Sequence, residues 1–466
     1  MTFLPIILWT DGVIFALVLI AGLAIRQIRR SPQLRDAWRK VFAKPIGFAT
    51  FVALGFFGVI GIVDSLHYRP ALPAEPGVEK QYSGEVLSAL DALLAPLRLN
   101  TEKTYSAPLA TRLFARETVE FEGGGQARIF PRLVFGGAHL ASEDEWVSDV
   151  LKRVSVGLLV GGVLTGLLWL SVRRAAMRES PRASSADGLH ASASEPEPAW
   201  RAAVLTMGAL LVVSAVIISL ASGYHVFGTD KVGQDVLYLT IKSVRTALVI
   251  GTLTTLVMLP FAVALGILAG YLGGWVDDAI QYLYTVLNSI PGVLLIAAAV
   301  LMMQVVIDTH PEWFSTAAER ADARLLALCV ILGVTSWTGL CRLLRGETLK
   351  LRELEYVQAA RAFGVGTVTI LHRHVLPNVM HIVVISLVMD FSGLVLAEAV
   401  LSYVGIGVDP NTISFGTMIN AARMELARDP MVWWSLVAAF VVMFLLVLAA
   451  NLFADVVRDV FDPRRV

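Results

Sequence analysis

The sequence predicts an all-α polytopic membrane protein, and three observations carry that expectation. Of 466 residues, 56% are hydrophobic and only 16% charged, with a mean hydropathy of +0.68, which is too apolar for an ordinary soluble domain. About nine apolar runs are long enough to cross a bilayer. Arginine and lysine gather at Arg26 to Lys44, Arg173 to Arg201, Arg342 to Arg373 and Arg458 to Arg465, alternating with segments that hold few of them near the membrane. The positive-inside rule then puts the N-terminus outside and the C-terminus inside. Net charge is zero and no basic, aromatic-interleaved stripe points to nucleic acid.

The first run, roughly Leu4 to Ile25, has no basic segment before it, is interrupted by Asp11 and is followed by Arg26 to Arg30. It reads as a retained anchor rather than a cleaved signal peptide. The second, Ile46 to Val63, leads into about 85 residues from Asp64 to Asp149, enough for a small external domain. Within it Leu87 to Leu99 has helical spacing, and Val119 to Phe135, with Gly123, Gly124 and Gly125 at its middle, has the pattern of a hairpin. The third run is Val154 to Val172. Arg173 to Trp200, rich in Ser, Ala, Pro and Glu and without apolar periodicity, reads as a cytoplasmic linker. The chain thus divides into an N-terminal membrane region at 1–172 with its external domain at about 64–150, a linker at 173–200, and a core at 201–466. The core holds six runs: Ala203 to Ala221, Ala247 to Leu272, Ala279 to Ile307, Leu325 to Leu340, His381 to Val404 and Val432 to Phe453. Cys329 and Cys341 lie about 18 Å apart along one helix and cannot pair with each other.

Between the fourth and fifth core runs lies a polar, alanine-rich, glycine-broken loop, Leu351 to Asn378. Its backbone cannot sit in lipid, and it is too long for a mere connector, so it should be a folded piece presented to water. Glu355 to Phe363 reads as a short helix, because Ala359, Ala360 and Ala362 favour it, Val357 is its only β-branched member, and Gly364 can take a left-handed stop. A second helix follows, with Thr367 as its expected cap and Leu376-Pro377 as a break.

In Tyr356, Val357, Ala359, Ala360, Arg361, Ala362, Gly364, Ile370, Arg373, His374, Leu376, Pro377 and Asn378 this loop resembles the EAA loop of ABC importer permeases, in the dipeptide, oligopeptide and nickel branch. Gln358 stands where the motif has glutamate. The resemblance covers roughly the last 260 residues and extends to Asn451, Asp455, Arg458, Asp459, Asp462, Pro463 and Arg464. It implies a six-helix MetI-like permease core in a bacterial cytoplasmic membrane, with Tyr356, Val357, Gln358, Ala359, Ala360, Arg361, Ala362 and Gly364 forming the helix that couples to an ATPase. The segment Phe227 to Asp235, FGTDKVGQD, is similar to the same family's external element, in Gly228, Thr229, Asp230, Gly233 and Asp235, with Gln234 in place of the usual arginine. Physically it reads first as a helix-capping turn, and second as a contact for a delivering binding protein.

Acidic groups inside apolar spans are costly unless they face water or a partner, which makes Asp390 and Glu398 candidates for a lined pathway. Only Glu398 belongs to a stretch, Leu396 to Gly416, that looks like a motif of the same family, and an internal helix–helix hydrogen bond explains either residue equally well. His372, His374 and His381 invite a metal reading, but His374 falls on the coupling loop, on the side away from an imported ion, so no metal site is expected. Trp313, Trp433 and Trp434 fit an aromatic belt at the outer boundary.

No G-x-x-x-x-G-K-[ST] phosphate loop occurs, so ATP and Mg are expected on separate subunits and this chain is not expected to be an enzyme. The resemblance implies a heterodimer with a second permease, two cytoplasmic ABC ATPase subunits or domains, and an extracytoplasmic substrate-binding protein, moving peptides or related small solutes. A nickel or metal complex is the alternative substrate. The rival from another class is a secondary transporter or channel working without an ATPase, with Asp390 and Glu398 carrying ions.

Overall fold

The computed structural model describes residues 3–72, 81–120, 126–179 and 199–461. Gly123, Gly124 and Gly125, residues 180–198 of the linker, and Asp462, Pro463 and Arg464 lie outside the described residues. The chain is an all-α, multi-pass membrane protein: among the described residues, nine helical segments are long and apolar enough to span.

The N-terminal part comprises strand β1 (Phe3–Ile6) and helices α1 (Trp9–Arg30), α2 (Pro32–Ala43) and α3 (Pro45–Asp64). Next come β2 (His67–Pro70), β3 (Leu87–Ser88), the short α4 (Ala89–Leu93) and α5 (Ala95–Leu99), then β4 (Glu117–Glu120) and β5 (Gln126–Ile129). Helices α6 (Trp146–Glu179) and α7 (Ala199–Ala221) lead to α8 (Val236–Leu272), α9 (Gly274–Ser289) and α10 (Gly292–Thr309). The remainder is α11 (Ala317–Ser336), α12 (Thr338–Arg352), α13 (Glu355–Ala362), α14 (Thr367–Ile370), α15 (Leu376–Val404), α16 (Phe415–Glu425) and α17 (Trp434–Phe461).

Three sequence expectations change. The run Leu4 to Ile25 does not begin as helix: residues 3–6 form β1, antiparallel to β2 with Phe3 opposite Pro70 and Ile6 opposite His67, and β3 completes the sheet. The chain start therefore joins the segment after α3. The run Ala279 to Ile307 is two helices, because Pro291 cannot donate to a ladder and holds Ile290 extended at φ −92°, ψ 131°. Conversely, Leu376-Pro377 is no break. A π-turn at Leu371–Val375 carries α14 into α15, and Pro377 falls in the first turn of α15, where its missing N–H costs nothing. The expected hairpin is present as β4 and β5, paired from Glu117 with Ile129 to Glu120 with Gln126, and Leu87 to Leu99 supplies β3, α4 and α5, the two helices divided at Leu94 with Pro96 in the first turn of α5.

Helix α3 packs against α7, α8 and α17, and Phe57 lies in the same buried cluster as Val244, Ala439 and Leu446. Helices α6 and α7 run side by side. Gly157 and Gly161 meet the backbone of Val216 and Val212, and Gly208 meets Thr165, so small residues bring the two helices into close contact where lipid supplies no hydrophobic drive between them. At the opposite end from β1–β5, the amphipathic α2 lies on α17 through Val41, Val456 and Val457, with Trp38 stacked on Phe453.

Candidate coupling and translocation site

The loop at 351–378 is a rigid extension of the bundle. Helix α13 ends at Ala362, and Gly364 adopts φ +76°, a left-handed conformation that a side chain would strain. Gly366, not Thr367, occupies the cap of α14, and no side-chain hydrogen bond closes it. Val357, Ile370, Val375 and Val379 are buried in one cluster with Leu344 and Leu351 of α12 and Ala269 of α8. The Asn378 side-chain amide donates to the Tyr356 hydroxyl at 3.1 Å and to the His374 carbonyl at 2.6 Å, tying α13 to the start of α15. Beneath the loop, Arg345 makes a two-pronged ion pair with Asp277 at 2.5 and 2.7 Å, joining α12 to α9 and holding the Asp277 carboxyl below its usual range.

This anchoring sorts the eight residues that the resemblance assigns to coupling. Val357 is 2% exposed and Ala360 leans on the same cluster, so these two hold the helix and do not face outward. Tyr356, Gln358, Ala359, Arg361, Ala362 and Gly364 are exposed. Gln358 turns back to the Glu353 carbonyl at 3.2 Å. Phe363, which the motif residues do not include, is 86% exposed, and Val368 is 80% exposed. With Tyr356 and Ala359 they make an apolar surface that nothing among the described residues covers.

The outer motif is a capping turn, and it is covered. Asp235 caps α8 by accepting from the backbone N–H of Leu237 at 2.8 Å, while Asp230 accepts from Val232 at 3.0 Å and Gln234 at 2.8 Å. Gly228 and Gly233 have positive φ, +71° and +78°. Thr229 and Asp235 are fully buried because the segment 102–106 lies on them: Thr229 Oγ1 accepts from the Ser106 N–H at 2.7 Å and donates to the Thr104 carbonyl at 2.8 Å, and the Glu102 N–H donates to the Gly233 carbonyl at 2.9 Å. Trp434 is not part of an exposed belt; it is buried, and its indole N–H donates to the Thr229 carbonyl at 2.9 Å. Direct contact of Gly228, Thr229, Gly233 and Asp235 with a delivering protein is therefore blocked by the chain itself, leaving Lys231 and Val232 as the exposed residues of this turn.

A buried ionic clamp fastens this cover. His225 Nδ1 lies 2.7 Å from Asp235, its Nε2 lies 3.5 Å from Glu102, and Glu102 also accepts from the backbone N–H groups of Val134, Phe135 and Gly136. Burial alone pulls the His225 pKa down, but the hydrogen bond to Asp235 and the charge of Glu102 outweigh it and hold the pKa up at about 9. Burial likewise opposes ionisation of Glu102, and His225 with the three N–H groups overcomes it, bringing that pKa down to about 2. A raised histidine pKa contributes stability that is complete below the unfolded value of 6.5 and is lost as pH rises through 9; the lowered Glu102 pKa matters only in acid. Hydrogen exchange at the Gly233 and Ser106 amides should accelerate between pH 6.5 and 9 beyond the intrinsic base-catalysed rate, and Asp235→Asn, which keeps a capping oxygen but removes the charge, should abolish that excess.

Of the two intramembrane candidates, Glu398 is 2% exposed and accepts from Ser402 Oγ at 2.6 Å and from Ser414 Oγ, the cap of α16, at 3.0 Å. It links α15 to α16. Asp390 is half-buried on α15, eight residues away in the chain. The structure does not bring these two carboxylates into one site. We expect Glu398→Gln, which can still accept both bonds, to leave uptake intact, while Glu398→Ala loses about 1–3 kcal/mol of stability by leaving the buried Ser402 hydroxyl unpaired; thermal unfolding in detergent measures it. Asn288 accepts from Thr338 Oγ1 at 3.1 Å, again a contact between helices. Among the described residues no group of three or more His, Cys, Asp or Glu side chains is placed to hold a metal ion.

Sequence reasoning missed the clamp that joins α1, α8 and α11. Arg245, 9% exposed, donates to Asp11 at 2.6 Å, to Thr10 Oγ1 at 2.9 Å and to Ser65 Oγ at 3.1 Å; His67 lies 2.7 Å from Asp11. Thr10 in turn donates its N–H to Asp322 at 3.0 Å and its hydroxyl to the same carboxylate. The isolated Asp11 within an apolar run was the signal that a partner had to exist.

The family described as binding-protein-dependent transport system inner membrane component matches residues 262–466, which hold α9 to α17 and the end of α8. A dipeptide transport system permease protein of Lactococcus lactis is 31% identical over 240 residues, 52% of this chain and 64% of that protein, so the chain spans less than two thirds of that relative's length. An oligopeptide transport system permease protein of Mycobacterium bovis is 31% identical over 239 residues, 51% of this chain and 76% of that one. A glutathione transport system permease protein of Pectobacterium atrosepticum is 32% identical over 243 residues, 52% of this chain and 74% of that protein. The nine candidate spans among the described residues, the loop built on α13 and these matches agree, and the chain belongs to the family of binding-protein-dependent transport system inner membrane components.

Proposed function

We propose that the chain is the membrane-spanning permease subunit of an ATP-driven importer for peptides or related small solutes, and that α13 is the element through which it is driven. The observation that carries this reading is the division of α13 into a buried face, Val357 and Ala360, fixed to α8 and α12, and an exposed apolar face continued by Phe363. A helix fixed on one side and uncovered on the other suits insertion into a partner's groove. The names of the three relatives, which transport dipeptides, oligopeptides and glutathione, support the solute class. In this reading two cytoplasmic ATPase subunits bind ATP and Mg, a second permease completes a heterodimer, a binding protein delivers solute from outside, and lipid surrounds the spans.

ATP closes the ATPase dimer and carries α13 with it. The buried cluster passes that displacement to α8, α12 and α15, and the bundle exchanges inward-open and outward-open arrangements. The chain itself supplies positioning and coupling rather than covalent chemistry. Its orientation, N-terminus outside and α13 in the cytoplasm, follows from the basic clusters. Proteoliposomes containing the whole assembly should accumulate labelled dipeptide only with ATP, and those with this chain alone should not; uptake by the chain alone would instead favour a secondary transporter.

A further inference from the structure

Beside α8 and α11, the N-terminal region and the core together form an open cavity of about 330 Å³, within the range of small-molecule sites. It is lined by ionisable and polar side chains of both parts. Asp64 and Asp91 are each 2% exposed, Asp322 5% and Arg245 9%. Most of these charges are matched: Lys242 pairs with Asp91, Arg98 with Glu85, and Arg245 with Asp11.

Two groups retain bonding capacity toward the cavity. Asp322 accepts only from the N–H and hydroxyl of Thr10 and has no basic partner within ion-pair distance among the described residues, so its carboxylate keeps free lone pairs. Arg245 commits Nε and Nη2 to Ser65, Thr10 and Asp11, leaving Nη1 without a protein hydrogen bond among the described residues. Ala318 and Ala321, on the face of α11 beside Asp322, leave the space open. A carboxylate with free lone pairs and a guanidinium with an uncommitted nitrogen on the same cavity let a molecule bearing an ammonium and a carboxylate add a charge-assisted bond to each.

We propose that this cavity binds a small zwitterion, a primary ammonium on Asp322 with a carboxylate on Arg245 Nη1 and Lys242: an amino acid or the linked termini of a very short peptide. The site lies within this one chain and needs residues of the N-terminal region to close it. Its assignment as a station for transported solute rests on the peptide-permease reading; the binding itself does not.

Equilibrium dialysis of the purified full-length chain against labelled alanyl-alanine, with N-acetyl-alanyl-alanine as competitor, tests it. Saturable binding of the free dipeptide is expected, with no competition by the acetylated one, which lacks the ammonium. Asp322→Asn, whose amide can still meet both Thr10 groups, should weaken binding about tenfold or more with unchanged thermal stability. Ala321→Leu, which fills the cavity and removes no side-chain hydrogen bond, should weaken it about fivefold, and keeps the test open if the first variant does not fold. No saturable binding, equal binding in both variants, or equal competition by the acetylated peptide overturns the site. Uptake by the assembled transporter without such binding removes the site and keeps the permease reading; binding without ATP-dependent uptake keeps the site and removes that reading.

Discussion

Asp11→Ala should destabilise the chain by about 3–5 kcal/mol, because it leaves Arg245 buried with only hydroxyl partners. The carboxylate is wholly buried, joins a helix near the chain start to α8, and also faces His67 at 2.7 Å, so one substitution strips counter-charge from two basic side chains. Thermal unfolding in detergent measures the loss. The control is the double variant Asp11→Leu with Arg245→Met, which removes both charges and should recover most of the stability. A single variant as stable as the parent would mean that the ion pair is not what holds α1 to the core. The same reasoning predicts that residues 1–179 and 199–461, expressed as separate chains with the linker omitted, still co-purify through α3 and α6, and that Asp11→Ala weakens this association.

On α13, opposite faces should give opposite phenotypes. Phe363→Ala, at a side chain 86% exposed, should leave folding unchanged and cost about 2 kcal/mol or more in association with the ATPase, the loss typical of a large aromatic anchor. Val357→Asp places a carboxylate in the cluster with Ile370 and Val375 and should disrupt the loop itself, lowering the unfolding temperature of the chain before any partner is added. Pull-down of the ATPase at graded salt, alongside thermal unfolding, separates the two. An association loss without a stability loss at Val357 would contradict the assignment of faces.

Much of this architecture was legible because lipid demands long apolar runs and water-facing loops announce themselves by composition. The short helix of the coupling loop was legible from three alanines and the glycine that stops it. What failed did so for identifiable reasons. Pro291 sits in a run so apolar that hydropathy passed over it, although its geometry ends α9. Pro377 signalled a break that a π-turn removed. The two faces of α13 were not readable, since alanines at 359 and 360 look alike until the surrounding cluster shows which one is covered. Least legible was the clamp that joins α1, α8 and α11. Arg245 and Asp11 are 234 residues apart, and no local pattern pairs them. The cover over Thr229 and Asp235 likewise comes from a segment more than a hundred residues earlier, so the outer motif looked exposed when read alone.

The most direct test of the central claim, that α13 is where ATP drives this chain, is chemical cross-linking from single introduced cysteines. Cys329 and Cys341 are buried, so an added surface thiol is the reactive one. Ala359→Cys, on the outward face, should cross-link to the ATPase subunit with an efficiency that changes between the nucleotide-free and ATP-bound assemblies, and Ala360→Cys, on the covered face, should not. Equal labelling at both positions, or no cross-link at Ala359→Cys in an assembly that still accumulates solute with ATP, would contradict the account.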